Sequence, residues 1–201
     1  MGLLDILLGR TKPVVPDLDQ LFALPSAAVT LEAAAGFTPT GQGAVCFATV
    51  EGSAFEQTHR EVQALLDADI ERTGPPVRLV RDDYGYSWLV SQRTPDQLPL
   101  LVNDLHAVNS AMEVNGFGPQ LLCSLAGFED RRGGPEEASG RRLALVYLYK
   151  RGSFYPFAPL PGTGPRPDRR LGQHVEAAHT GVLRLADGHG RMFPVWGAPG
   201  L

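Results

Sequence analysis

Between residues 44 and 150 the apolar positions switch between a spacing of two and a spacing near 3.6, and that switching predicts the order of elements. Ala44 to Val50 is a short apolar run that reads as a buried strand. From Ser53 the pattern changes, and Phe55, Val62, Leu65, Leu66 and Ile70 fall on one helical stripe that Gly74-Pro75-Pro76 stops. Ser53 and Glu56 have the spacing of a capping box, in which each side chain satisfies an orphan backbone N–H. Val77 to Arg81 and Tyr84 to Gln92 read as a hairpin, with Tyr84, Tyr86, Trp88 and Val90 on one face. Thr94-Pro95-Asp96-Gln97 opens the most clearly marked helix. Its buried stripe is Leu98, Leu101, Val102, Leu105, Val108 and Met112, and Gly116 ends it. Gln120 to Phe128 and Leu143 to Lys150 are strands, the second apolar on both faces and hence placed centrally in a sheet. Glu129 to Arg142 reads as a charged connecting loop.

The predicted order is therefore β-α-β-β-α-β-β. It implies an α+β fold, a mostly antiparallel sheet with two main helices on one face. No internal repeat is evident.

The flanks read differently. Leu3, Leu4, Leu7 and Leu8 share one face of a short amphipathic stub. Asp17 to Leu24 predicts one or two helical turns, and Pro25 to Ala35 a helix with Gly36 as its stop. After Lys150 comes an aromatic, proline-rich run, Gly152 to Gly162, expected to be extended or polyproline-like. Thr163 to Arg170 reads as a linker and Leu171 to Leu185 as a weakly striped helix. We therefore divide the chain into a main unit, 1–162, and a C-terminal region, 163–201, whose last apolar segment packs back on the main unit or meets a partner. Exposing Phe193, Val195 and Trp196 together, or Phe154, Tyr155 and Phe157, would create an interaction patch. The candidate partner-binding residues are Leu3, Leu4, Leu7, Leu8, Phe154, Tyr155, Phe157, Phe193 and Trp196.

Composition narrows the function classes. Hydrophobic residues make up 43% and charged residues 20% of 201, an ordinary globular balance that can bury a core without disulfide staples. A net charge of -4 without a basic cluster argues against nucleic-acid binding. The N-terminus lacks a secretory signal, and no window approaches the ~20 apolar residues of a membrane span. Cys46 and Cys123 each sit in an apolar run and read as buried, reduced thiols, which suits a reducing compartment.

Motifs of catalysis are missing: no phosphate-binding glycine loop, no nucleophile elbow, no C-x-x-C and no H-E-x-x-H. His174, His179 and His189 could in principle gather a metal, but five-residue spacing on a helix separates the first two. Asp104 and His106, close to Asn103 and Asn109, could serve acid–base chemistry, yet residues two apart on a helix do not face each other. Solvated polar positions are expected for the three histidines, and for the helix either a polar face or an Asn109 that caps a neighbouring loop. No catalytic residue, cofactor or metal is assigned.

Several whole phrases carry a resemblance: MGLLDILLGRTKP, PDLDQLFALPSAAVTLEAA, LVNDLHAVNSAMEVNGFGPQLLCSLAGF, LALVYLYKRGSFYPFAPLPG and MFPVWGAPGL. Together they are similar to the PspA-associated protein family PspAB of actinobacteria and archaea. The resemblance implies a place in the phage-shock envelope-stress system, as a cytoplasmic companion of PspA, with or without peripheral contact at the inner face of the cell membrane. It implies a protein partner such as a PspA-like coiled coil, with an HtpX-like membrane protease system as a further association. The order of elements is also similar to the YbjN and type III secretion chaperone architecture, and fold alone does not fix function. The primary expectation is a non-enzymatic adaptor. The alternatives are a chaperone-like homodimer holding an extended client, and an enzyme centred on His106.

Overall fold

The computed structural model describes residues 16–130, 140–160, 166–186, 195–199 and 201. A six-stranded, wholly antiparallel sheet runs in the order β2-β3-β1-β4-β5-β6. Its strands are β1 (Phe37–Ala48), β2 (Arg78–Arg81), β3 (Tyr86–Gln92), β4 (Leu121–Asp130), β5 (Arg142–Leu148) and β6 (Ser153–Phe157). Four helices accompany it: α1 (Leu24–Ala35), α2 (Ser53–Asp67), α3 (Leu98–Val114) and α4 (Arg169–Ala178). The α+β class and the β-α-β-β-α-β-β order are as the periodicities predict.

Side chains alternate across the pleat, so each strand serves two cores. On one face Val45, Phe47, Leu89, Leu145 and Tyr147 pack with all four helices, through Leu31 of α1, Val62 of α2, Leu105 of α3 and Val175 of α4. Two helices were expected on that face. The other two arise because the flanking segments carry their own apolar stripes. On the opposite face Ala44, Cys46, Trp88, Val90, Cys123, Val146 and Tyr155 form a second core with Val195 and Ala198 of the C-terminal segment. Cover on both faces explains why β5 is apolar throughout.

Local rules account for most boundaries. Gly36 ends α1 in the left-handed conformation (φ 70°), and its N–H donates to Glu32 O. β1 begins earlier than the apolar run suggests, because Phe37-Thr38-Pro39 also pairs with β4 and the register shifts between Pro39 and Gly43. Gly41 sits in this irregularity at φ 77°, and a Cβ there would lie 2.1 Å from the carbonyl oxygen of Arg93. Only glycine lets the two backbones meet, and Arg93 N–H donates to Gly41 O at 2.8 Å.

Three sequence expectations are corrected. Ser53 and Glu56 do not form a capping box. The N-cap is Gly52, so Ser53 is already the first helical residue, and Glu56 instead accepts from Arg60 at 3.0 Å. The proline-rich run is extended, as expected, but part of it is not irregular: it pairs in the sheet as a regular strand, β6. Pro156 is tolerated because β6 ends the sheet, where the missing N–H breaks no ladder. The outer side of β6 is closed by residues 184–186, with Phe154 N–H donating to Arg184 O (2.7 Å) and Ala186 N–H to Phe154 O (2.8 Å). Finally, Asn109 caps no loop. It is buried between α3 and β4, donating to Leu105 O and to Ser124 Oγ.

The largest departure concerns Asp104, which is 3% exposed rather than solvated. Its Oδ2 accepts from Ser91 Oγ (2.6 Å), Arg72 Nη2 (2.8 Å) and Arg93 Nε (2.8 Å), and its Oδ1 accepts from Arg93 Nη2 (2.7 Å). Arg93 Nη2 also reaches Asp69 Oδ2 at 2.7 Å, and Arg72 donates to Leu66 O and Gln92 O. One carboxylate on α3 thus ties the turn after α2 to the end of β3. The backbone N–H of Glu71, then Arg93, hold the Asp69 carboxyl below its usual range.

Removing one member of such a buried cluster strands the others. We expect Asp104→Ala to lose about 3–5 kcal/mol of unfolding free energy in urea titrations; a loss under about 1 kcal/mol would contradict the geometry. A second expectation concerns alkaline pH. Burial pushes the phenols of Tyr147 and Tyr149 up to about 12. The folded chain therefore holds these protons longer than the unfolded one, whose phenols titrate near an ordinary value of about 10. The stability they provide is complete below about pH 10 and is lost as pH rises through about 12. Melting temperatures between pH 9 and 12 should fall in that window; a flat profile would oppose the assignment.

Candidate functional site

Beside the open edge of the sheet lies a cleft of about 370 Å3 between α2 and the β2–β3 hairpin. Its walls are Val50, Glu51 and Gly52 before α2, Phe55, Glu56 and His59 on α2, and Leu79, Arg81 and Ser87 on the hairpin. A volume in this range suits a small ligand or a side chain of a larger one.

The sequence builds the cleft in two steps. Asp82 first fixes the hairpin: its carboxylate accepts from Tyr84 N–H, Tyr86 N–H and the Trp88 indole N–H at 2.9–3.0 Å. β2 pairs with β3 in the register Leu79↔Leu89 and Arg81↔Ser87. Because Leu89 belongs to the helix-side core, Leu79 and Arg81 project to the same side, toward α2. Second, Phe55 anchors α2, packing edge-on against Phe47 (5.5 Å) and Phe117 (5.1 Å). One turn later the ring of His59 meets Phe55 at 5.8 Å.

His59 is 7% exposed, and its Nδ1 has no hydrogen-bond partner. Ser87 is buried, with its Oγ 2.7 Å from Thr49 Oγ1. Thr49 gives its only proton to Gly85 O, so Ser87 must donate to Thr49 and keeps just its lone pairs for the cleft. The first turn of α2 opens on the same space. Gly52 offers no side-chain cap, and the first amides of a helix lack intrahelical acceptors. Sequence reading missed this site, since its residues come from three separate segments. Its one local trace is a helix whose N-cap is Gly52, which has no side chain to accept from the first amides.

The residues singled out from sequence do not converge. Asp104 points into the arginine cluster, while His106 is half-exposed, 3.8 Å from Asp19 and 5.0 Å from the ring of Phe22. His179 is buried with Nε2 2.9 Å from Ala27 O and Nδ1 2.7 Å from Val175 O, clasping α4 to α1. His174 lies 3.2 Å from Ala34 O, and His189 is outside the described residues. Among the described residues no group of three His, Cys, Asp or Glu could hold a metal ion.

Of the candidate partner-binding residues, Leu3, Leu4, Leu7, Leu8 and Phe193 lie outside the described residues. Phe154, Tyr155 and Phe157 are buried in strand β6, because their alternation feeds both cores; as a surface patch they are a correction. Trp196 is half-buried, its ring edge-on to Phe157 at 4.8 Å.

Cys46 and Cys123 face each other across β1 and β4 as free, buried thiols. The contact with Cys123 and then burial push the Cys46 thiol far up. A neutral thiol is a poor nucleophile. Both should resist a thiol-specific disulfide reagent in the native chain and react once it is denatured. A fast native reaction would return the pair to the list of reactive sites.

Comparisons with known proteins place the chain more firmly than its chemistry does. Among the described residues no helix is long and apolar enough to cross a membrane. No curated protein matches the chain, and no solved structure does. The family model described as PspAB, PspA associated protein B, matches residues 1–200. With the match running over essentially its whole length, the chain belongs to the PspAB family.

Proposed function

We propose that this chain is a non-enzymatic accessory protein of the phage-shock envelope-stress response that works by binding a protein partner of the PspA type. The family match over residues 1–200 carries this reading, since the family is described by its association with PspA. The internal chemistry is compatible with it. The carboxylate of Asp104 is consumed by Arg72, Arg93 and Ser91, and the Cys46 thiol is held neutral. These groups secure the fold and leave recognition to the surface.

The contact points we favour are the apolar ends, Leu3, Leu4, Leu7 and Leu8 at one terminus and Phe193 and Trp196 at the other. Trp196 keeps part of its ring accessible while resting on Phe157. Aromatic residues of this kind often anchor interfaces, where truncation costs about 2 kcal/mol or more.

The test is recovery of a PspA-like coiled coil with the tagged chain from crosslinked, membrane-stressed cells. Recovery should succeed for the parent. Trp196→Ala should lower it about tenfold or more while the far-ultraviolet circular dichroism stays unchanged. Undiminished recovery would remove the C-terminal contact. No coiled-coil protein recovered with the parent, against a strong signal for other partners, would remove the function.

A further inference from the structure

We propose that the cleft at the start of α2 is an oxyanion-binding site, taking a carboxylate or phosphate group on the amides of Ser53, Ala54 and Phe55 and the guanidinium of Arg81, with the imidazole of His59 as its inner wall. This goes beyond the partner reading and stands or falls without it.

Four observations lead there. The first turn of a helix presents amide N–H groups and the positive end of the helix dipole. In α2 this end is uncapped: Gly52 has no side chain, the hydroxyl of Ser53 makes no capping bond, and the first intrahelical bond is Glu56 N–H to Gly52 O. Next, Gly52 and Phe55 both line the cleft, so this turn opens on a partly open cleft rather than on flat surface. In the same wall His59 is more than nine-tenths buried with an unpartnered Nδ1, a polar atom left without a bond inside the protein. A buried polar group without a partner is costly and calls for a ligand or a water. Lastly, Arg81 is held toward the cleft by the β2–β3 register and forms none of the ion pairs found among the described residues.

Two carboxylates share the walls. Glu56 is offset by Arg60, whose Nη2 lies 3.0 Å from its Oε2. Glu51 is exposed and opposes an anion, which supplies a sign test. Ser87 offers only lone pairs, so it favours a ligand that also carries an O–H, and a hydrogen phosphate ion has one where acetate does not.

The experiment is an amide and imidazole nitrogen-15 NMR titration of the full chain at fixed pH with sodium phosphate, sodium acetate, and sodium chloride at matched ionic strength. Saturable shifts at Ser53, Ala54, Phe55 and the His59 ring are expected with phosphate or acetate and not with chloride. The tighter of the two identifies the group, and Ser87 predicts phosphate. Three variants separate the parts. Arg81→Ala changes an exposed side chain and should weaken binding about fivefold or more, the scale of one charge-assisted hydrogen bond. Ser53→Pro removes one amide at a position where proline suits the helix and should weaken it about threefold. Glu51→Gln should tighten it about threefold by removing a like charge. The proposal is overturned if neither anion gives saturable shifts beyond chloride, or if binding is indifferent to both Arg81→Ala and Ser53→Pro. It is also overturned if Glu51→Gln weakens binding, because the cleft would then be selecting a cation.

Discussion

One buried carboxylate organises the edge of this molecule. Asp104 collects Arg72, Arg93 and Ser91 within 2.6–2.8 Å, and through them joins α3, the turn after α2 and the end of β3. A charge with so little exposure is tolerable only when paired and fully hydrogen-bonded. The cluster therefore acts as a registration device: if α2 or β3 shifts, charges are left unpaired in a dry place. The cleft between α2 and β2 inherits its shape from that constraint. β2 itself is four residues long and sits at the edge, too short to hold its position alone.

What could be read from the sequence were the features encoded by neighbours. The stripe Leu98, Leu101, Val102, Leu105, Val108 and Met112 marks α3, and every member is buried. Gly36 marks the end of α1, and the apolar β5 marks a strand covered on both faces. What could not be read depends on distant partners. Asp104 looks like an ordinary polar position until Arg72 and Arg93, 32 and 11 residues away, fold against it. Pro156 argues against a strand until β6 proves to be terminal in the sheet. His59 lies one helical turn from Phe55, and nothing near it in sequence signals that it is buried in the fold.

The two halves of the functional account rest on different grounds. Membership of the PspAB family comes from a match over residues 1–200 and points outward, to association with PspA. The proposed oxyanion site rests on local geometry: the uncapped start of α2, the unpartnered Nδ1 of His59 and the guanidinium of Arg81. If both hold, the protein has a docking surface at its apolar ends and a separate ligand pocket at the sheet edge. A soluble ion would then have a place from which to influence docking, because the cleft shares α2 and β3 with the Asp104 cluster.

The dependence of that edge on Asp104 is tested most directly by native-state hydrogen exchange in Asp104→Asn. The account predicts that amides of α2, β2 and the end of β3 lose protection by a large factor, while those of the β4–β5 pair keep theirs. Protection lost equally across the sheet, or lost nowhere, would contradict it.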